Sequence, residues 1–369
     1  MKQRNKTKKG MPMKTKVKIS YVGKKVFIGI DVHRLSYAVT AVCEQVVVLK
    51  CSVPGEPHKM VQFIANKFPG AEVSSAYEAG FSGLVLHRAL TAAGVSNLVV
   101  NAASIEMRVN DKVKTDKRDS LKIAIHLSQG RLEGIRIVSE EEELTRLIAR
   151  TRDQLVKSRG MLMNSVRMKL LQFGKLPIEY RKVLHLKSVE AWIAEKDFPG
   201  LLKIAIRYLV ECWKSINIQL KAIKQELRLQ AKSDPREAIY RSVPGIGPIS
   251  ARVLSNELGD MKQFRNERRL FSFSGMTPSE HSTGEPKNQR RGHITHQGSA
   301  RIRKILTEAA WVAIKRDPAL RAVHQRISVK SGTKKAIVAV ARKLLGRIRS
   351  LFIKGEFYVN GKGLPPSAA

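Results

Sequence analysis

The chain has 369 residues and a formal net charge of +37, from 68 Lys and Arg against 31 Asp and Glu. Repulsion among so many cations opposes a compact fold, so we expect nucleic acid as the partner rather than a solubilising surface or an anionic membrane. No run approaches the ~18 apolar residues of a membrane span, and no apolar stretch follows the basic N-terminus as in a secretory signal. Three cysteines without a CxxC or CxxH cluster exclude a disulfide framework and a zinc site, and they indicate a reducing, cytoplasmic setting.

Residues 1–24 form a basic arm, which we expect to be disordered without its partner. From Lys25 to Val53, β-branched runs with alternating stretches predict two or three strands. Helical and strand-like segments then alternate as far as "TDKRDSLKIAIHLSQG". This alternation predicts a mixed α/β sheet covered by helices over residues 25–135.

Four carboxylates lie at the ends of these predicted elements: Asp31, Glu78, Asp116 and Asp119. Asp31 follows the apolar strand "VFIGI", and Glu78 ends the strand-like "SSAYE". The other two share one helix face because they are three residues apart. Oxygen ligands are those that Mg²⁺ prefers, and two such ions assist phosphodiester transfer. The pattern therefore predicts a metal-binding tetrad. Glu72 and Asp111 are competing candidates, and ordinary turn or capping roles are the alternative.

A long helical hairpin is predicted in the middle of the chain. Ser139 is followed by four glutamates, and a serine cap with an acidic first turn favours a helix N-terminus. An amphipathic helix of about ten turns follows, and residues 200–231 form a second one. Joined by the variable segment 174–199, the two predict a helical hairpin or coiled coil used in oligomerisation. A spacer without a partner is the alternative.

From Ile239 onward the pattern is mainly helical and basic, and residues 261–369 hold 23 Lys and Arg against six Asp and Glu. "SVPGIGPISARVLSNEL" predicts a helix, a turn and a helix, as in a helix-hairpin-helix element. There, Gly245 and Gly247 would let backbone N–H groups approach a phosphate. A plain turn between two helices is the alternative.

Residues 274–298, "SGMTPSEHSTGEPKNQRRGHITHQG", predict a polar, cation-rich loop between helices. Ser282 is a candidate nucleophile, but a hydroxyl needs a base or a metal to activate it. We do not assign His281 as that base, because neighbouring side chains usually diverge. Five cations can clamp a phosphate and stabilise its transition-state charge: Arg290, Arg291, Arg301, Arg303 and Lys304. An ordinary turn in a basic DNA-binding loop is the alternative.

The motifs "IGIDVHR", "YEAG" and "KTDKRDS", with the long block from "VPGIGPISARVL" to "RIRKILTEAAW", resemble a known family. It comprises the insertion-sequence transposases with a RuvC-like domain carrying a DEDD tetrad and a separate serine-bearing transposase domain. These are also called bridge-RNA-guided recombinases, and pilin-gene invertases are their relatives. The resemblance runs from about Lys25 to Phe352 in the family's domain order.

The resemblance implies a fold for each part of the chain. We expect a RuvC-like (RNase H-like) α/β domain, a helical coiled-coil linker, a mainly α-helical serine transposase domain and a tail. Their boundaries are residues 25–138, 139–235, 236–355 and 356–369, after the arm of residues 1–24.

The resemblance also implies roles for particular residues. The tetrad would bind Mg²⁺, and Ser282 would attack DNA and become covalently linked to it. Many members have Ser-Ser-Gly where this chain has Ser-Thr-Gly, so Thr283 is the alternative nucleophile. The tetrad and the serine would complete one site.

The implied partners are donor and target DNA, a structured guide RNA that pairs with both, and further copies of the chain as a dimer that pairs into a tetramer. We therefore expect a transposase that excises and inserts its element by serine-mediated strand exchange, in the nucleoid-associated part of the cytoplasm. A RuvC-like endonuclease that cuts branched DNA with water as nucleophile is one alternative. A non-enzymatic nucleic-acid-binding protein is the other.

Overall fold

A computed structural model describes residues 20–101, 116–180, 184–195, 199–281 and 290–361. The chain divides into two compact units, Met1–Ile137 and Val138–Ala369. The predicted helical hairpin and the predicted C-terminal helical region therefore lie in the same unit.

The first unit is built on one five-stranded mixed sheet, so the predicted α/β class is confirmed. Its strands are β1 (Lys25–Val32), β2 (Ser36–Cys43), β3 (Val46–Pro54), β4 (Glu72–Glu78) and β5 (Ser96–Val100). They lie in the order β3-β2-β1-β4-β5. β1 pairs antiparallel with β2 and parallel with β4, and β4 pairs parallel with β5. The helices of this unit are α1 (Pro57–Lys67), α2 (Val85–Ala92) and α3 (Asp116–Ser128).

Helix α3 packs directly on the centre of this sheet because β1 carries a glycine there. A Cβ atom on Gly29 would lie 2.1 Å from the carbonyl oxygen of Ser120 and 2.4 Å from the amide nitrogen of Ala124. The neighbouring strand contributes Thr40, whose buried hydroxyl lies 2.9 Å from the Ser120 hydroxyl. Glycine thus sets how closely α3 approaches the sheet.

Two 33-residue helices begin the second unit: α4 (Glu140–Gln172) and α6 (Gly200–Lys232), with α5 (Leu186–Glu195) between them. The predicted start of α4 is confirmed by a capping box, in which Ser139 and Glu142 bond each other's backbone N–H at 3.1 Å. The end of α4 packs on the beginning of α6, and Ala149 near its beginning packs with Leu227 near the end of α6. The two helices therefore run antiparallel, and a supercoil between them stays a prediction.

The remaining elements of the second unit surround an apolar core. They are α7 (Arg236–Ser242), α8 (Pro248–Leu258), α9 (Glu267–Ser274), β6 (Pro278–His281), β7 (Arg290–Ile294), α10 (Ala300–Arg316), α11 (Pro318–Ser331) and α12 (Thr333–Lys354). The core joins residues of α7 to α12. The predicted polar loop over residues 274–298 does lie between two helices, α9 and α10, but β6 and β7 pair within it as an antiparallel hairpin that was not predicted. The sequence lacks the apolar alternation that would have indicated strands there.

None of the helices in the described ranges is both long and apolar enough to cross a bilayer.

Candidate active site

The register of the sheet brings two of the predicted carboxylates side by side. Ile30 of β1 lies opposite Tyr77 of β4, so Asp31 and Glu78 are the next residues along two adjacent parallel strands. At the same level in parallel strands they lie roughly 5 Å apart and on one face of the sheet. Side chains alternate along a strand, so this is also the face of Gly29, on which α3 packs.

Helix α3 begins at the same edge of the sheet. Ser120 and Ala124 contact β1 at Gly29, and further along the helix Ile123 and Leu127 pack in a cluster with Phe27. The helix therefore runs from the carboxyl end of β1 towards its beginning. Its first turn, which contains Asp116 and Asp119, lies towards the edge that carries the first two carboxylates. Only the backbone of Asp116 is within the described part of the structure.

The carboxylates differ in their surroundings. The Asp31 side chain is 22% exposed, and one of its oxygens lies 3.2 Å from Nε2 of His33. Glu78 is exposed and Asp119 is half-buried. Among the side chains that the structure describes, no three or more His, Cys, Asp or Glu form a group able to hold a metal ion. The tetrad therefore stays a prediction, supported by the placement of its backbone positions.

His33 is a neighbour of this edge that the sequence interpretation missed. It comes two residues after Asp31, and its Nε2 lies at ion-pair distance from the carboxylate, though this contact lacks the geometry of a hydrogen bond. The signal was present in "IDVHR", because a spacing of two continues one face of a strand.

Neither competing acid gains support. Glu72 begins β4 and pairs with Lys25, at the end of the sheet opposite Asp31, so it does not belong with these carboxylates. Asp111 lies outside the described residues.

The candidate nucleophile comes directly after β6 in the chain and before β7. His281, the last residue of β6, pairs with Arg290, the first residue of β7, and Ser282 is the next residue along. Ser282 and its alternative Thr283 lie in residues 282–289, outside the described part of the chain.

Arg303 holds the base of this hairpin together. Its Nη1 donates hydrogen bonds of 2.9 Å to the carbonyl oxygens of Ser274, before β6, and Gly298, after β7. Gly275 has a left-handed φ of 66°, and a Cβ there would lie 2.6 Å from the same Nη1. Burial lowers the pKa of Arg303. Arg303 therefore clamps the backbone at the base of the hairpin, whereas the sequence suggested that it binds a phosphate.

The other predicted cations differ in how they are engaged. Arg301 donates from Nε to Asp153 of α4 at 3.0 Å, whereas Lys304 is exposed. Arg290 and Arg291 lie on β7, and their side chains are outside the described part of the structure. Phosphate binding by these residues stays a prediction.

The two glycines of the "PGIG" turn have different surroundings. Gly245 has a left-handed φ of 85°, and a Cβ there would lie 2.7 Å from the carbonyl oxygen of Ala309 in α10. Packing therefore accounts for Gly245 without a ligand. Gly247 caps α8 without a side-chain hydrogen bond, and nothing lies within 4 Å of the Cβ position. The approach of a phosphate at Gly247 stays a prediction.

Comparisons with known proteins agree with this arrangement. A DEDD family model for IS110, described as "Transposase", matches residues 28–174, and one described as "Transposase IS116/IS110/IS902 family" matches residues 237–325. The first match spans the sheet with its edge carboxylates, and the second spans the serine hairpin. The chain is thus a transposase, an enzyme of DNA recombination.

Three relatives match most of this chain. The putative transposase y4qE of Sinorhizobium fredii is 27% identical over 345 residues, covering 90% of this chain and 83% of the relative. The transposase for insertion sequence element IS1533 of Leptospira borgpetersenii is 28% identical over 345 residues, covering 89% and 96%. The transposase for IS1111A of Coxiella burnetii is 26% identical over 285 residues, covering 74% and 75%. The chain belongs to the IS110/IS116 family of transposases.

Proposed function

We propose that this transposase cuts and joins DNA by covalent chemistry at Ser282, with a divalent cation at the carboxylates of the first unit and a structured RNA as guide. The observation that carries the proposal is the register of β1 and β4, because it brings Asp31 and Glu78 side by side at the edge where α3 begins. Two adjacent carboxylates on a rigid sheet are a suitable beginning for a cation site, and the helix can supply the others.

The donor set fits a hard divalent cation such as Mg²⁺. Asp31 and Glu78 would hold it from the sheet, and Asp116 and Asp119 from α3. When bound, such an ion stabilises charge on phosphate oxygens and helps a hydroxyl to lose its proton. His33 packs beside the Asp31 carboxylate, with its Nε2 3.2 Å from Oδ2, and would limit the positions open to that carboxylate.

Ser282 supplies the nucleophile. A new bond forms between its Oγ and the phosphorus while one P–O ester bond of the DNA breaks; the proton lost from the serine hydroxyl is balanced by the one that the released strand end takes up to become a free hydroxyl. Pairing of His281 with Arg290 holds both ends of residues 282–289 on one short hairpin. Positioning of this kind lowers the entropy cost of the attack. Thr283 is the alternative nucleophile.

The serine is tested by trapping the covalent adduct. The full chain is incubated with end-labelled DNA of its own element, Mg²⁺ and RNA transcribed from the element's flank, and a denaturing gel then resolves protein–DNA adducts. We expect an adduct that mass spectrometry assigns to Ser282, lost in Ser282→Ala and retained in Thr283→Val. Cleavage without any adduct would instead support a water nucleophile, as in a RuvC-like endonuclease.

The carboxylates are tested with a matched pair on one strand. Glu78→Gln should lower adduct formation about 100-fold or more, because it removes a ligand from the cation that assists the attack. Glu72→Gln changes the same residue type at the opposite end of β4, so we expect almost no effect. Equal activity of the two variants, or full activity in excess chelator, would contradict a metal role for this edge.

The guide RNA and the oligomer rest on the family resemblance. The charge of +37 is consistent with binding RNA as well as DNA, and the long helices expose apolar side chains that a second copy could cover. Examples on α4, each more than half exposed, are Leu144, Leu147 and Met161. Omitting the flank RNA should abolish adduct formation. Light scattering of Leu144→Glu, Leu147→Glu should show a smaller assembly than the unaltered chain.

A further inference from the structure

A large groove of about 1820 Å³ opens on the second unit beside the serine hairpin. Its walls are the hairpin, α9, the α11–α12 pair and residues 356–359. The hairpin contributes Pro278, before its tip, and Gly292 to Ile294, after it. Small-molecule sites usually occupy about 300–1,000 Å³, so this groove has room for a longer, extended ligand.

The inner surface of the groove is largely apolar and includes an exposed aromatic ring. Val323, Ile327 and Val338 line it from α11 and α12. Phe357, from the segment that follows α12, also lines the groove and is 60% exposed. An exposed aromatic side chain in a basic groove is a platform on which unpaired bases stack. The bases of an intact duplex are already stacked on one another, so they gain less from such a ring.

The rim of the groove is cationic. Arg326, Lys334, Lys335, Lys343 and Lys354 line it, against the carboxylates of Glu267 and Glu356. Burial lowers the pKa of the Lys343 ammonium group. The positive charges of Arg326 and Arg347 lower this pKa further, because they repel the charged form of Lys343.

The beginning of α12 adds to this excess of positive charge. Lys334 and Lys335 stand in its first turn, where cations oppose the helix dipole, and Gly332 supplies no side-chain cap. Neither lysine has an ion-pair partner within the described ranges. A phosphate backbone along the rim would relieve both the repulsion and the opposed dipole.

We propose that this groove binds an unpaired DNA strand that continues from the phosphate attacked at the hairpin, with bases against Phe357 and phosphates along the lysines of α12. The inference rests on the proposed function, because β6 and β7, the strands on either side of Ser282 in the chain, also form a wall of the groove. DNA is the occupant because it is the substrate of a transposase. An apolar floor favours bases released from a duplex over paired ones.

The test measures binding by the full chain carrying Ser282→Ala, so that no covalent product forms. Fluorescence anisotropy follows a labelled oligothymidylate of about 12 nucleotides and a blunt duplex of the same length. Phe357→Ala should weaken binding of the single strand about tenfold and of the duplex less than twofold, and Phe357→Tyr should restore it. Phe173→Ala, at a phenylalanine that is 52% exposed and directly follows α4, is the control and should change neither.

The rim is tested through the salt dependence of single-strand binding. Lys334→Ala, Lys335→Ala should lower the slope of log affinity against log salt by about 1.4, because two phosphate contacts are lost. The control Lys221→Ala, Lys224→Ala removes the same charge from exposed positions of α6 and should leave the slope unchanged. Circular dichroism melts confirm that each variant is folded.

Several results would overturn the inference. Unchanged affinity in the Phe357 and lysine variants would show that the strand binds elsewhere, and equal weakening of single strand and duplex would assign the groove to double-helical DNA. The chain is photocrosslinked with equal amounts of a DNA strand that carries thiothymidine and an RNA strand that carries thiouridine. We expect crosslinks in the groove mainly to the DNA strand, and crosslinks mainly to the RNA strand would assign the groove to RNA. None of these readouts needs cleavage, so they stand even if adduct trapping shows that Ser282 is not the nucleophile.

Discussion

Substituting Gly29 with alanine should lift α3 from the sheet and disturb the carboxylate edge. The new Cβ would lie 2.1 Å from the carbonyl oxygen of Ser120 and 2.4 Å from the amide nitrogen of Ala124, whereas an ordinary contact begins at 3.4 Å. Both neighbours are backbone atoms and cannot rotate away, so the helix must move by roughly 1 Å or more. The shift also strains the buried hydrogen bond between Thr40 and Ser120. Together we expect a loss of about 3 kcal/mol in the free energy of unfolding of the first unit.

The two units can be followed separately because all three tryptophans belong to the second: Trp192, Trp213 and Trp311. Circular dichroism should therefore show a transition lowered by roughly 10 °C in Gly29→Ala, while the tryptophan fluorescence transition stays in place. Gly160→Ala is the control. No atom lies within 4 Å of its Cβ position in α4, so alanine there should stabilise by about 0.5–1 kcal/mol. A Gly29→Ala melt identical to that of the unaltered chain would refute the close packing of α3.

Three further outcomes follow from buried charges and from the net charge. Arg252→Met removes the guanidinium that lies 3.4 Å from the buried carboxylate of Glu237, whereas Asp234, 2.8 Å from the same guanidinium, keeps its bonds from Arg236 and Ser255; the uncompensated charge at Glu237 should cost about 3 kcal/mol or more in denaturant unfolding followed by tryptophan fluorescence. Burial alone would raise the pKa of Asp317, but hydrogen bonds from Tyr358 and Arg347 outweigh it and lower the pKa. Its contribution to stability is therefore present above about pH 4 and lost as the pH falls through the depressed pKa, so Asp317→Asn should flatten the acid side of the melting temperature measured against pH. DNA binding by the full chain should weaken steeply with added salt, and a nearly flat dependence in an anisotropy titration would contradict a basic interface.

The sheet and the long helices could be predicted because their signals are local. Five strands and the helices between them follow alternating or helical apolar patterns, and Ser139 with its glutamates forms the predicted cap. The carboxylate positions were also visible, since each stands at the end of a strand or the start of a helix. Their proximity was not, because it depends on the pairing of β1 with β4, strands far apart in sequence.

What the sequence left out depends on contacts between distant elements. Glycine in a turn suits a phosphate site or a close packing contact equally well, and only the position of α10 assigns Gly245 to packing. The hairpin was missed because "PSEH" and "RRGHI" carry few of the β-branched and aromatic residues that mark strands. The groove was missed for the same kind of reason. Its cations come from α11 and α12 and its exposed phenylalanine from the segment after them, and they face one cavity only once these elements pack.

Arg303 and Lys304 offer a direct choice between the interpretation from sequence and that from structure. As a phosphate ligand, either residue would contribute one released counterion, so its loss would lower the salt slope of duplex binding by about 0.9. As a clamp, Arg303 would leave that slope unchanged. Its loss would free the carbonyls of Ser274 and Gly298, and so loosen the base of the serine hairpin.

The two alanine variants therefore form a matched pair with equal change in charge. Lys304→Ala should reduce the salt slope by about 0.9 and leave hydrogen exchange of residues 290–294 unaltered. Arg303→Ala should keep the slope, speed that exchange and lower the yield of the Ser282 adduct, because the attacking loop is no longer held at its base. The clamp would be contradicted if the salt slope fell equally in both variants while hydrogen exchange of β7 stayed unchanged in Arg303→Ala. Phosphate binding would then be the role of Arg303.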